Sequence, residues 1–184
     1  MTRPLIAVAA VALTTLLSAC STMAPMPMPM SMATPQAPAA VTAPAGNKVA
    51  MMAVGAGDLN YECRVKADMP GAFAWVFTGP DALLLDKNKT TVGKYYGGPT
   101  WESTDGSKVS GKQLAVAPGV AGAIPLQLVQ ASPAMGSGAM TGVTYIQRLN
   151  TIGGVAPAEV CNQAVVGSKK LVKYQADYYF YKAM

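Results

Sequence analysis

The sequence predicts a mainly β protein: a single antiparallel β-sandwich or barrel-like domain with little helix, after a signal peptide and a disordered linker. Three observations carry this. Val172, Tyr174, Ala176, Tyr178 and Phe180 hold an apolar period of two over nine residues. Several shorter runs alternate in the same way, with Gly and Pro between them. No stretch has the 3.6-residue periodicity of a long amphipathic helix, and only residues 157–163 read as one short helical turn.

The chain opens with a basic residue, Arg3, and an uncharged, mostly apolar run over residues 4–19. Leu17-Ser18-Ala19-Cys20 then follows the lipobox pattern, in which small residues let an extended backbone enter a peptidase cleft and the thiol accepts diacylglycerol. A transmembrane anchor is the competing reading. The run falls short of the roughly 20 residues that span a bilayer, and Thr14, Thr15 and Ser18 interrupt it. The expectation is residues 1–19 as a lipoprotein signal peptide and Cys20 as the lipidated N-terminus of the mature chain. Ser21, not Asp, follows the cysteine, which favours the outer membrane of a diderm bacterium. The expected location is the cell envelope, with the membrane as partner through the lipid.

Residues 20–47 form a charge-free Met/Pro/Ala-rich segment without aromatics, expected to be a disordered tether. Repeated Pro favours extended polyproline II, with a reach on the order of 80 Å at about 3.1 Å per residue. Met23, Met26, Met28, Met30 and Met32 are soft thioethers that suit loose capture of Cu(I) or Ag(I). A compositionally biased linker is the preferred reading.

The globular domain is expected over residues 48–184, which hold both tryptophans and all charges beyond the signal segment. Tyr61, Cys63 and Val65 alternate with Glu62, Arg64 and Lys66. Phe73, Trp75 and Phe77 form a second set, and Leu83-Leu84-Leu85 a third run that ends in the turn Asp86-Lys87-Asn88-Lys89. Val92, Lys94 and Tyr96 alternate next, and Thr104-Asp105-Gly106-Ser107 signals a hairpin. Val143, Tyr145 and Gln147 alternate with Thr144, Ile146 and Arg148 before the long final run.

Histidine is absent, which excludes Ser–His–Asp and Cys–His catalysis and any zinc or haem site that needs imidazole. The 14 basic residues against 9 acidic ones give only a modest positive charge, ordinary for a solvated surface. Gly153-Gly154 lies in no phosphate-cradling context, and Asp58, Asp68 and Asp86 lack calcium-loop spacing. No cofactor, metal or nucleic-acid partner is expected. The cysteine count is odd; with Cys20 assigned to lipid, Cys63 and Cys161 remain as a natural disulfide pair, the alternative being two buried thiols.

Several ordered motifs resemble one family. They are Tyr61-Glu62-Cys63; Trp75 with Pro80-Asp81-Ala82; the run from Gly93 through Lys94, Tyr95, Tyr96, Gly97, Gly98, Pro99, Thr100 and Trp101 to Glu102; Asp105-Gly106-Ser107; Ile124-Pro125; the run from Val143 to Pro157; Cys161; and the closing run from Tyr174 to Tyr181. Together they resemble domain of unknown function 3455 over residues 55–182, a family associated with secreted or surface proteins. The resemblance implies no activity. This chain departs from it at Tyr95, where members commonly have His, and at Leu126, where they commonly have Trp.

The richest polar patch in the sequence is Trp101, Glu102, Asp105 and Arg148, with Tyr95 and Tyr96 nearby. One reading is a ligand site, in which aromatic faces stack on sugar rings and the carboxylates bind hydroxyls or act as acid and base. The preferred reading is structural: Trp101 in the core, Asp105 shaping a turn, and Arg148 at the surface or paired with Glu102. The expected role is therefore a non-catalytic binding or structural module of the envelope, its partner an envelope polymer or extracellular glycan. The alternatives are a carbohydrate-active enzyme using Glu102 and Asp105, and metal handling by the Met-rich tail. The anchor is checked directly by fractionation of expressing cells: Cys20→Ala should move the protein out of the membrane fraction.

Overall fold

The computed structural model describes residues 32–184. The signal segment, Cys20 and Met23, Met26, Met28 and Met30 lie outside the described residues. Eight strands follow in chain order: β1 (Asn47–Val65), β2 (Phe73–Leu85), β3 (Thr91–Tyr96), β4 (Thr100–Ser103), β5 (Lys108–Ala117), β6 (Leu126–Ala131), β7 (Val143–Gly153) and β8 (Lys169–Ala183). Each pairs antiparallel with the next, and β8 returns to β1 in a register from Asn47↔Ala183 to Glu62↔Lys169. Of the two expected architectures the chain adopts the closed barrel, which leaves no unpaired strand edge.

The inner wall comes from the period-two pattern. Tyr174, Ala176, Tyr178 and Phe180 of β8 are all buried in the main core, as expected from their alternation. Trp101 of β4 is completely buried and stacks on Tyr95 of β3, with ring centroids 4.7 Å apart. Tyr178 meets the Trp101 ring edge-on at 5.9 Å. Complete burial of an aliphatic or Phe side chain contributes about 1.5–3 kcal/mol, so this aromatic centre is a principal source of stability. Room for it comes from glycine: a Cβ on Gly55 would lie 2.5 Å from Tyr178 Cε2.

The outer wall is also covered on one side. Val41, Ala117, Leu128 and Leu149 form a second buried cluster, in which Val41 belongs to a strap that precedes β1. A 3-10 turn, Ala39–Val41, shapes the strap. The buried Gln147 side chain donates from Nε2 to the Val41 carbonyl (2.6 Å) and accepts from the Tyr181 hydroxyl (2.7 Å), so that this amide is not left without partners. Gln36 and Pro38 lie beside Val120 and Asn150, at the end of the barrel that holds the β3–β4 and β5–β6 connections. Asn47 accepts from the Thr144 hydroxyl at the other end. The strap thus runs the length of β7, antiparallel to it. The packed part of the chain begins before the boundary expected at Lys48, because Val41 gains a complete apolar contact that proline-rich composition does not reveal.

Connections at the first end are tied down by the Cys63–Cys161 disulfide, which joins the end of β1 to the β7–β8 loop across 98 residues. The single short turn expected over residues 157–163 lies slightly later, as a 3-10 turn at Gln163–Val165, because Asn162 supplies its cap by accepting from Ala164 N (3.0 Å). Loss of the disulfide in a Cys63→Ser/Cys161→Ser chain should lower unfolding free energy by roughly 2–5 kcal/mol, measured by denaturant titration.

Candidate binding cavity at the barrel mouth

Between the first-end connections the barrel opens into a cavity of about 330 Å³, a volume in the range of small-molecule sites. Its walls come from around the barrel: Leu59 and Tyr61 of β1, Phe77 to Pro80 of β2, Tyr95 of β3, Gln113 of β5, Gln127 of β6 and Arg148 of β7. Gly98-Pro99 and Ile124-Pro125, in the connecting loops, complete the rim. Tyr61 packs its ring edge-on against Phe77 at 5.8 Å and donates its hydroxyl to the Gly154 carbonyl (2.7 Å).

Arg148 is the only charged residue in this lining. It faces inward because its register partners are Gln127 on β6 and Tyr178 on β7's other neighbour, β8, and these form one inward row. Its Nε and Nη2 donate to the Pro125 carbonyl at 3.2 and 2.9 Å. A guanidinium has five N–H donors, so this contact positions the group without saturating it. Five ion pairs form among the described residues, and Arg148 takes part in none. Next to it Gln127 Nε2 donates to Gln113 Oε1 at 2.5 Å.

Burial pushes up the phenols of Tyr61, Tyr95, Tyr174 and Tyr178, while the positive charge of Arg148 opposes the shift in all four. Desolvation wins, so these hydroxyls stay neutral at pH 7 and offer hydrogen bonds, not a phenolate base. Trp101 is withheld from the cavity behind Tyr95, and its Nε1 finds no partner among the described residues.

The patch read from the sequence is therefore divided. Tyr95 and Arg148 line the cavity, and Trp101 supports Tyr95 from within. Tyr96 and Glu102 sit on the outer surface, where the Tyr96 hydroxyl donates to Glu102 Oε2 (2.5 Å) and Lys94 and Lys108 flank it at 3.4 and 3.8 Å. Those contacts, the Tyr96 bond foremost, hold the Glu102 carboxyl below its ordinary range. The expected Arg148–Glu102 pair does not form; Arg148 is half-exposed and turned into the barrel mouth. The reason is that both faces of β7 are covered: the strap buries Gln147 and Leu149 outside, so apolar neighbours did not reveal which face looks inward.

Asp105 behaves as the turn residue it was read as. Oδ1 accepts from Ser107 Oγ (2.6 Å) and Ser107 N (2.9 Å), and Oδ2 accepts from Ala139 N (2.7 Å), joining the β4–β5 turn to the β6–β7 loop. These bonds hold its carboxyl down at about 2. Neither Glu102 nor Asp105 is thus kept protonated, as a glycosidase acid must be. Leu126, at the other family departure, packs on the outer wall beneath the strap. Sequence reasoning missed Gln113, Gln127, Phe77 and Leu59 as lining residues, since only barrel closure brings their strands together; of the four, only Phe77 belonged to an alternating run in the sequence.

A family model described as "Protein of unknown function (DUF3455)" matches residues 44–182. No curated protein and no solved structure matches the chain.

The Asp105 bonds carry a pH signature. Its folded-state value lies below the ordinary 3.8, so the carboxylate stabilises the fold above that value, and the contribution is lost as pH falls through about 2. Thermal melts between pH 5 and 2 should show an acid-limb decline that is flattened in Asp105→Asn, with a lower Tm than the parent at pH 5.

Proposed function

The chain belongs to the DUF3455 family, and from that premise we propose that it is an envelope lipoprotein whose barrel mouth binds a small anionic ligand without transforming it. The observation that carries the binding reading is Arg148: a cation held in a largely apolar cavity, with no carboxylate within ion-pair distance among the described residues. A half-buried guanidinium with unused donors at the mouth of such a cavity favours an opposite charge from outside. Its planar fork suits a carboxylate or phosphate group, which can accept two parallel N–H bonds. Leu59, Phe77, Pro80 and Ile124 would take the apolar body of the ligand, and the amides of Gln113 and Gln127 its polar substituents. An acidic sugar at the end of an envelope polymer or glycan meets the same requirements.

The cavity lining holds no Asp, Glu, Lys or Cys, and its tyrosines are held neutral. That supports binding over catalysis. The lipobox at Leu17-Ser18-Ala19-Cys20 supports export and lipid anchoring, and Ser21 supports delivery to the outer membrane.

Isothermal titration of the full chain against a set of aryl and alkyl carboxylates, organic phosphates and acidic sugars tests the reading. A ligand of the wild type should bind Arg148→Gln at least tenfold more weakly, about 1.4 kcal/mol, with little change in Tm. Equal binding by both chains refutes the assignment of Arg148, and binding of uncharged analogues alone refutes the ligand class.

A further inference from the structure

We propose that the mouth end of the barrel rests on the lipid surface that carries the anchor, so that the cavity opens toward the membrane. The inference rests on the lipid-anchor reading above and adds an orientation to it. Its first support is the course of the strap. Without it, the chain would enter β1 at Asn47, at the end of the barrel opposite the mouth. The strap instead carries the entering chain up the outer wall, so that Gln36 and Pro38 lie beside Val120 and Asn150 at the mouth end. The residues between Cys20 and Gln36 would serve as the leash, with a reach of about 50 Å if extended at about 3.1 Å per residue. The leash therefore leaves from the end that holds the cavity.

The second support is the distribution of exposed apolar side chains. Val65, Val120, Ile152, Val155, Val160 and Leu171 all sit on or next to the mouth-end connections, and Val120, Val160 and Leu171 are 70%, 74% and 67% exposed. Apolar side chains that ring one end of a small barrel mark an interaction surface when they occur together. Lysines without an ion pair among the described residues occur at both ends, Lys66 and Lys169 at the mouth and Lys48, Lys87, Lys89 and Lys182 opposite, so charge does not choose between the ends and the apolar side chains do. At the far end the β2–β3 turn is Asp86-Lys87-Asn88-Lys89, a polar cap, although Leu83, Met135 and Met184 are exposed in that half. A lipid surface fits the mouth end because the leash brings it there and because the exposed apolar side chains find partners in it.

The test uses the full lipidated chain in vesicles of phosphatidylethanolamine and phosphatidylglycerol with brominated acyl chains. Val160→Trp places a reporter on the rim, and Lys87→Trp places one on the far end; both positions are surface residues that tolerate the change. Bromolipid should quench the added emission of the Val160→Trp chain at least twofold and leave that of the Lys87→Trp chain unchanged. Equal quenching of both, or quenching of neither while the protein still floats with the vesicles, overturns the orientation. Concentration-dependent dimers that shield the rim reporter in place of lipid overturn it too, since the rim would then bind a second copy. If the wild-type chain fails to float, or Cys20→Ala floats equally well, the anchor reading itself falls.

Discussion

Pairing of β1 with β8 is the interaction on which the rest of the structure depends. The register from Asn47↔Ala183 to Glu62↔Lys169 turns a meander of neighbouring hairpins into a closed wall. Without it Gly55 would have no Tyr178 to make room for, and the aromatic centre of Tyr95, Trp101 and Tyr178 would lose a side. The cavity also depends on it. Tyr61 and Leu59 come from β1, and Arg148 sits on the strand that pairs with β8, so closure sets them across one opening.

Closure alone leaves the outside of the barrel wet, and in this chain one sector is not. The strap turns β6 and β7 into strands buried on both faces, with Gln147 as the polar link between wall and strap. This has a chemical effect on the site. A strand with one wet face sends its charges outward; β7 has no such face along most of its length, and Arg148 reaches the open mouth from the inner side. The charge is placed by what covers its neighbours as much as by its own position.

Much of the fold was legible in the sequence, for local reasons. The alternation of Val172 to Phe180, the Asp105-Gly106 turn and the pairing of Cys63 with Cys161 depend on adjacent residues or on counting, and all appear in the structure. The first half of β1 was not legible. Its residues 49–57 are almost all apolar or glycine, so no period emerges, and Gly55 and Gly57 look like breakers until the close approach of Tyr178 and of the Asp81–Ala82 backbone explains them. A barrel and a sandwich share the same local signals and differ only in which distant strands pair. The site was half legible: Tyr95 and Arg148 were named for their chemistry, but Glu102 and Tyr96 were grouped with them because nearness in sequence hides the two faces of a strand.

The β1–β8 seam also governs timing. The first strand of the wall waits for the last, so the barrel cannot complete itself while the chain is still emerging, and an edge of nineteen residues stays open until the final fifteen arrive. Contacts of such long sequence separation form slowly. If the chain is exported as proposed, this is an advantage, because a wall that cannot close early keeps the polypeptide thin enough to be threaded.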